Sequence, residues 1–243
     1  MKFAVIGGTG LIGSKVVEKL NAGGHEAVPH SLESGVDVIT GQGLEEAVSG
    51  ADVVVNLTNS PTFDDASVDF FRTSMDNLLA AARKGGVRHA VILSIVGVDK
   101  VPDLAYYRAK ALQEDILEAG PIPYSIVRAT QFMEFMDATM SWTTEGDTVR
   151  LPPTPIQPIA AQEVADTVAE VAAGSPLNGI LDVAGPEVFS LDEVGRITLA
   201  AHSDGRTVVT DATAGMFAAV PGDVLIAEPD ARIASTRYRD WLS

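Results

Sequence analysis

Along the first half of the chain, short apolar blocks alternate with longer stretches in which apolar residues recur every three or four positions. The blocks have strand character and the stretches helix character. Lys2–Ile6 is expected as a strand and Leu11–Leu20 as its helix, ended by Asn21-Ala22-Gly23-Gly24. Glu26–His30 follows as a second strand and Val36–Ile39 as a short third. Leu44–Val48 is a short helix, and Asp52–Leu57 is a buried strand. A long helix from Ala66 to Lys84 stops at Gly85-Gly86. Arg88–Ser94 is then the fifth strand, Ala105–Glu118 a helix and Tyr124–Arg128 a further strand. Regular alternation of this kind predicts an α/β fold, a doubly wound parallel sheet with helices on both faces.

Beyond residue 130 the periodicity loosens. Phe132–Trp142 has helical spacing of Phe132, Met133, Phe135, Met136 and Met140, which serves either core packing or an apolar wall. Pro152-Pro153-Thr154-Pro155 is a stiff extended loop. Ala161–Ala173 is amphipathic, Ile180–Val183 has strand character, and Leu191–Ala201 begins at Ser190 with Glu193 in capping-box spacing. The expected organisation is one dinucleotide-type domain over 1–243. Within it, a doubly wound core occupies 1–130, and 131–243 completes the sheet and forms a smaller substrate-side lobe.

The first strand runs directly into Gly7-Gly8-Thr9-Gly10-Leu11-Ile12-Gly13, a Gly-x-Gly-x-x-Gly turn that opens a helix. Gly8 is expected to allow the tight turn, and Gly10 to remove the Cβ that would block a pyrophosphate. Gly13 would let the helix pack closely, so that its unpaired N–H groups face phosphate. The order strand, glycines, helix predicts dinucleotide binding. Farther on, Tyr106 and Lys110 stand four residues apart on one predicted helix face, with Ser94 at the preceding strand end twelve residues upstream of Tyr106. An ammonium beside a phenol favours the phenolate, and such a tyrosine exchanges a proton with a carbonyl oxygen as hydride moves. Tyr107 is a rival, with a less suitable spacing from Lys110.

This combination resembles the short-chain dehydrogenase/reductase superfamily, and more narrowly its NmrA-like, atypical extended branch. The resemblance rests on Gly7–Gly13, on Leu93-Ser94-Ile95-Val96-Gly97 and on Tyr106-Tyr107-x-x-Lys110. Val127-Arg128-Ala129-Thr130-Gln131-Phe132 and Val183-Ala184-Gly185-Pro186-Glu187 extend it over nearly the whole chain. It implies a Rossmann-like fold, Tyr106 as acid/base, Lys110 on the nicotinamide ribose and Ser94 orienting a carbonyl. It also implies a substrate wall from Thr130, Gln131, Phe132 and Phe135. The activity implied is an NAD(P)-dependent oxidoreductase acting on a small carbonyl, alcohol or quinone-like substrate. Some branch members instead act as non-catalytic redox sensors through a protein partner. A nucleotide-sugar epimerase is a third class, for whose substrate lobe this chain is short.

The phosphate form of the cofactor, NADP or NAD, stays open on sequence. An acid after the second strand would hold the ribose hydroxyls of NAD, and a base the extra phosphate of NADP. That strand ends Val28-Pro29-His30-Ser31-Leu32-Glu33, and no Lys or Arg occurs from Leu20 to Phe71. His30 and Ser31 could donate to a phosphate, Lys15 could add charge, and Glu33 stands near the ribose position. Relatives of the branch often carry an arginine near Leu32, so this chain departs from their pattern. Gln42 replaces an aspartate expected against the adenine amine. Asn56 and Thr58 are either a polar floor for the cofactor or turn chemistry around Asn59-Ser60-Pro61.

Composition narrows the partners. The net charge of −16, from 33 acidic and 17 basic residues, repels nucleic acid, and no basic patch offsets it. Without cysteine there is no disulfide, thiolate metal site or cysteine nucleophile. His25, His30, His89 and His202 show no ligand spacing, so no metal is expected. The apolar runs are too short to cross a bilayer and no signal peptide is legible, so a cytoplasmic location is expected. Helix 66–84 could pair two subunits in a homodimer or simply cover the sheet.

Overall fold

A computed structural model describes all 243 residues. Its main sheet is parallel, built from β1 (Lys2–Ile6), β2 (Glu26–His30), β3 (Val53–Asn56), β4 (His89–Ile95), β5 (Tyr124–Ala129), β9 (Gly179–Ala184) and β12 (Arg232–Ile233). The strand order is β12-β9-β5-β4-β3-β1-β2. The central strands are apolar on both faces because helices cover both, as in other parallel sheets. Phe3, Val5 and Val55 are wholly buried.

Two compact units divide the chain: residues 1–128 with 164–181, and residues 129–163 with 182–243. In the first, β1 pairs in register with β2 (Ile6 opposite His30) and with β3 (Ile6 opposite Asn56), and β3 pairs with β4. The chain thus winds to one side of β1 and then crosses to the other. This reversal makes the carboxyl ends of β1 and β3 the topological switch point, where open α/β sheets take ligands. Helices α1 (Leu11–Ala22), α2 (Leu44–Val48), α3 (Ala66–Lys84) and α4 (Ala105–Glu118) belong to this unit.

The expected strand at Val36–Ile39 is not formed. Val36 and Val38 are buried in the core, which gives the stretch its alternation, but its backbone bonds locally. The Asp37 carboxylate accepts from Ile39 N–H (2.8 Å), and Asp37 N–H donates to the Gln42 carbonyl (2.9 Å). An Asx-type turn thereby takes the groups a ladder would need. The helix bearing Tyr106 consequently follows the fourth strand, not the fifth.

The second unit holds α5 (Met136–Ser141), β6 (Thr144–Glu145), β7 (Thr148–Leu151), β8 (Pro155–Ile156), β10 (Phe189–Ser190), α7 (Leu191–Ala201), β11 (Thr207–Thr210) and α8 (Tyr238–Trp241). β11, β7 and β6 form a small sheet. α7 packs close to it: a Cβ on Gly195 would lie 2.4 Å from Leu151 Cδ1. α7 starts where expected, yet Ser190 makes no cap to its backbone. Thr210 and Arg196 instead hold the Asp192 carboxylate, so an acid-centred cluster stands where the capping box was expected.

Within the first unit α4 is anchored to β5 by an ion pair. Arg128 meets Glu114 through two bonds of 3.0 and 2.5 Å, both side chains being largely buried. Removing one member leaves the other charge without its partner. Arg128→Ala is expected to cost about 3–5 kcal/mol, lowering the melting temperature by roughly 6–20 °C, as thermal denaturation followed by circular dichroism would show.

Candidate active site

The turn after β1 is set by three glycines with different demands. Gly7 has φ +80°, and a Cβ there would lie 2.8 Å from the Leu57 carbonyl carbon. Gly7, not Gly8, is therefore the residue that makes the turn. Its N–H and that of Gly8 donate to the His30 carbonyl (2.8 and 3.2 Å), tying the turn to the end of β2. Gly8 is required by close approach, since its Cβ would stand 2.7 Å from Pro29 Cα and Val5 O. Gly13 packs on the turn itself, and a Cβ would fall 2.1 Å from the Gly7 carbonyl oxygen.

Gly10 differs. A Cβ there meets only the Gly7 carbonyl oxygen, at 3.4 Å. The protein does not itself fill the space that this glycine keeps clear. Gly10 is also the N-cap of α1, supplies no side-chain cap, and precedes a first turn free of acids. The end of the helix thus offers Leu11, Ile12 and Gly13 N–H groups to an anion. Thr9 is exposed beside them. A dinucleotide pyrophosphate fits this cradle, and Gly7–Gly13 are the residues that would hold it.

The hydroxyls of Ser31 after β2, of Thr62 in the loop after β3 and of Ser94 near the end of β4 are buried without a hydrogen-bond partner. Buried polar groups without partners are rare in proteins, so these three stand out as ligand-facing candidates. His30 ends β2, and burial holds its imidazole below the usual histidine range, with Lys2 adding to the effect. Leu32 and Glu33 project into solvent beyond it, and Gln42 is exposed. Asn56 is fully engaged with its neighbours. Its Oδ1 accepts from Thr58 N–H (3.1 Å) and the Thr58 hydroxyl (2.7 Å), and its amide nitrogen faces Met75 Sδ. The polar pair at this turn is internally satisfied, as turn chemistry requires.

Tyr106 and Lys110 do share a face of α4, with Phe71 of α3 against both. The Lys110 ammonium lies 4.9 Å from the Phe71 ring centroid, and the Phe71 and Tyr106 rings meet edge to face at 6.2 Å. The ammonium donates to the Leu93 carbonyl (2.6 Å), next to Ser94, and to Gln113 Oε1. It makes no bond to the phenol. Burial lowers Lys110 to about 8, opposed by the Glu114 charge. The Tyr106 phenol, expected to be tuned downward by that lysine, is instead raised to about 12 by burial, and it donates to Asn59 Oδ1 at 2.5 Å. Tyr107 is buried, more deeply than Tyr106, and also raised, first by desolvation. Asn59, Thr62, Phe71 and Gln113 were not selected from sequence. Only the polar turn Asn59-Ser60-Pro61 gave any signal.

In the second unit, Thr130 has a buried hydroxyl without a partner. Gln131 is structural: its Oε1 accepts from Gln157 N–H (3.0 Å) and its amide nitrogen reaches the Leu225 carbonyl (3.4 Å). Phe132 and Phe135 stack with centroids 5.5 Å apart, and Phe135 remains exposed. Met133, Met136 and Met140 are core, so the apolar spacing there serves packing, and only the two phenylalanines are free to form a wall.

A parallel sheet with its glycine cradle at the topological switch point defines a Rossmann-type dinucleotide-binding protein. A family model described as NAD(P)H-binding matches residues 7–174, and the chain belongs to that family. Among solved structures it is similar to a nucleoside-diphosphate-sugar epimerase from Staphylococcus aureus, at 16% identity and TM-score 0.74, over 100% of this chain and 99% of that one. It is similar also to Thermus thermophilus UDP-glucose 4-epimerase in complex with NAD, at 19% identity and TM-score 0.72, over 87% and 86% of the two chains. An NADPH-dependent quinone oxidoreductase from Escherichia coli aligns at 16% identity and TM-score 0.68, over 100% and 98%. No curated protein matches the sequence. These likenesses, at 16–19% identity, show the fold, a Rossmann-like α/β sheet, and the NAD(P)H-binding family is shown by the family model. No helix is long and apolar enough to cross a membrane.

The glycines separate fold from ligand. Gly13→Ala is expected to destabilise the protein by about 1–3 kcal/mol through overpacking, whereas Gly10→Ala should leave the melting temperature within about 2 °C and weaken NADH binding at least tenfold. Thermal melts and cofactor fluorescence on the two variants check the pair. Lys110 gives a pH test. Its folded-state value lies below the unfolded one, so the buried ammonium burdens the native state at low pH, and this burden lifts as pH rises from about 8 toward 10.5. The stability of Lys110→Met relative to wild type should therefore fall by roughly 3 kcal/mol over that interval, read by urea denaturation at each pH.

Proposed function

We propose that the protein is an NAD(P)H-dependent reductase of a small carbonyl or quinone-like substrate. The observation that carries the reading is the partnerless buried hydroxyl of Ser94, near the carboxyl end of β4 and adjacent to the carbonyl that Lys110 holds. Gly7–Gly13 would bind the pyrophosphate, and Lys110, buried against the Leu93 carbonyl and Gln113, would hold the strand end beside Ser94 in place. When bound, a reduced nicotinamide supplies hydride to a carbonyl carbon. Ser94 would donate to the carbonyl oxygen, and Tyr106 would transfer its phenolic proton to that oxygen, to be reprotonated from solvent. A phenol raised to about 12 is a neutral donor throughout the physiological range, which suits reduction better than oxidation.

The rim after β2 favours the form without the extra phosphate. No Lys or Arg lies between Leu20 and Phe71, Lys19 pairs with Asp166 (3.1 Å), burial disfavours charge on His30, and Glu33 is exposed beside Ser31. A second phosphate there would meet an acid and no cation from the loop after β2 itself. NADH is accordingly expected to bind at least tenfold more tightly than NADPH in a fluorescence titration, with Glu33→Arg narrowing the gap.

With 9,10-phenanthrenequinone as probe, Tyr106→Phe should lower kcat by about 10²–10⁴ while cofactor affinity stays within twofold. Cofactor oxidation by this variant at the wild-type rate would defeat the proton-donor role. Tight cofactor binding by the wild-type protein, without oxidation by carbonyl or quinone probes, would favour a dinucleotide sensor instead.

A further inference from the structure

The loop between β3 and α3 lies along the first turn of α4 through three contacts. Asn59 Oδ1 accepts the Tyr106 hydroxyl at 2.5 Å, the Phe63 ring meets the Tyr106 ring edge-on at 4.9 Å, and Asp65 pairs with Arg108 at 2.7 Å. The orientation of the Asn59 amide is set independently, because Ser60 N–H donates to the same Oδ1 at 2.9 Å. Turning the amide over would forfeit that bond and set its N–H₂ against a backbone donor. The oxygen therefore faces the phenol, and the phenol is the donor. Lys110, the other group expected to govern Tyr106, is committed to the Leu93 carbonyl, to Gln113 and to the face of Phe71.

We propose that Asn59 is the positioning residue for Tyr106, its amide oxygen accepting the phenolic O–H and so fixing the aim of that bond. The assignment rests on the reductase reading above. As a substrate carbonyl arrives, the O–H passes from Asn59 to the substrate oxygen. The carbonyl carbon gains the hydride with its electron pair, the phenolic O–H bond breaks, and a new O–H bond forms on the product. The phenolate left behind recovers its proton from water.

Asn59 is exposed, so substitutions there spare the core. The test is a double-mutant cycle with NADH and 9,10-phenanthrenequinone, reading kcat, KM and cofactor dissociation constant. Asn59→Leu should lower kcat about tenfold, the value of one hydrogen bond, with the cofactor constant within twofold of wild type. Asn59→Asp, which keeps an acceptor oxygen, should stay within about threefold of wild type. In a Tyr106→Phe background, Asn59→Leu should change kcat less than twofold, because the bond it removes is already gone. An unchanged kcat in Asn59→Leu, or the same tenfold loss in the Tyr106→Phe background, overturns the assignment while leaving the reductase reading in place. Cofactor binding without any quinone reduction by the wild-type protein removes the reductase reading, and the role of Asn59 falls with it.

Discussion

The carboxyl edge of the sheet depends on how closely the turn after β1 approaches the backbone after β3. Leu57 N–H donates to the Ile6 carbonyl at 2.8 Å, extending the β1–β3 pairing one step beyond β3. Gly7 then turns away at φ +80°, with no room for a side chain against Leu57 and Thr58. Any larger residue would push the two loops apart and disturb the start of α1. The loop after β3 is held in the same region by Asn56, whose side chain binds Thr58 and so directs the chain toward Asn59 and Thr62. One backbone approach thus sets both the proposed phosphate cradle and the loop that reaches Tyr106.

A second constraint is the buried ammonium of Lys110. Desolvating a charge is costly, and here it is offset by the Leu93 carbonyl, Gln113, the face of Phe71 and the field of Glu114. Glu114 is held by Arg128, which also reaches Asp99. The chain of partners runs from α4 to β5 and fixes the helix that carries Tyr106. This arrangement separates two roles that spacing alone merges. The lysine is placed against the strand end beside Ser94, and the phenol is held by the opposite loop.

Most of the fold was legible because strand blocks and helix periods are local properties. Helices 66–84, 105–118, 161–173 and 191–201 have the bounds read from the pattern. The misread stretch, Val36–Ile39, shows how burial of alternate residues mimics a strand when an aspartate captures the backbone. Met133 and Met136 had a helical period that fits either a core or a pocket wall, and periodicity carries no information about which. The site was less legible for a different reason. The Asn59–Tyr106 bond spans 47 residues and the Lys110 partners are drawn from two other elements, so no spacing rule encodes them.

The four glycines of the turn after β1 are not equivalent. In the sequence Gly7, Gly8, Gly10 and Gly13 are one motif with a single implied purpose. In the structure the first two and the last are required by the protein's own atoms, and a chain that bound nothing would still need them. Gly10 is not required in that way, for a side chain there would press on little besides one carbonyl oxygen. The same distinction applies to hydroxyls: Thr58 and Ser67 are satisfied by neighbours, while Ser31, Thr62 and Ser94 are not. A position where the fold forgoes a side chain, or leaves a buried hydroxyl unpaired, is a candidate for contact with a ligand. Gly10, Ser31, Thr62 and Ser94 all belong to the first unit, at the carboxyl ends of β1, β2, β3 and β4 or in the loops that follow them, the edge at which open α/β sheets take dinucleotides.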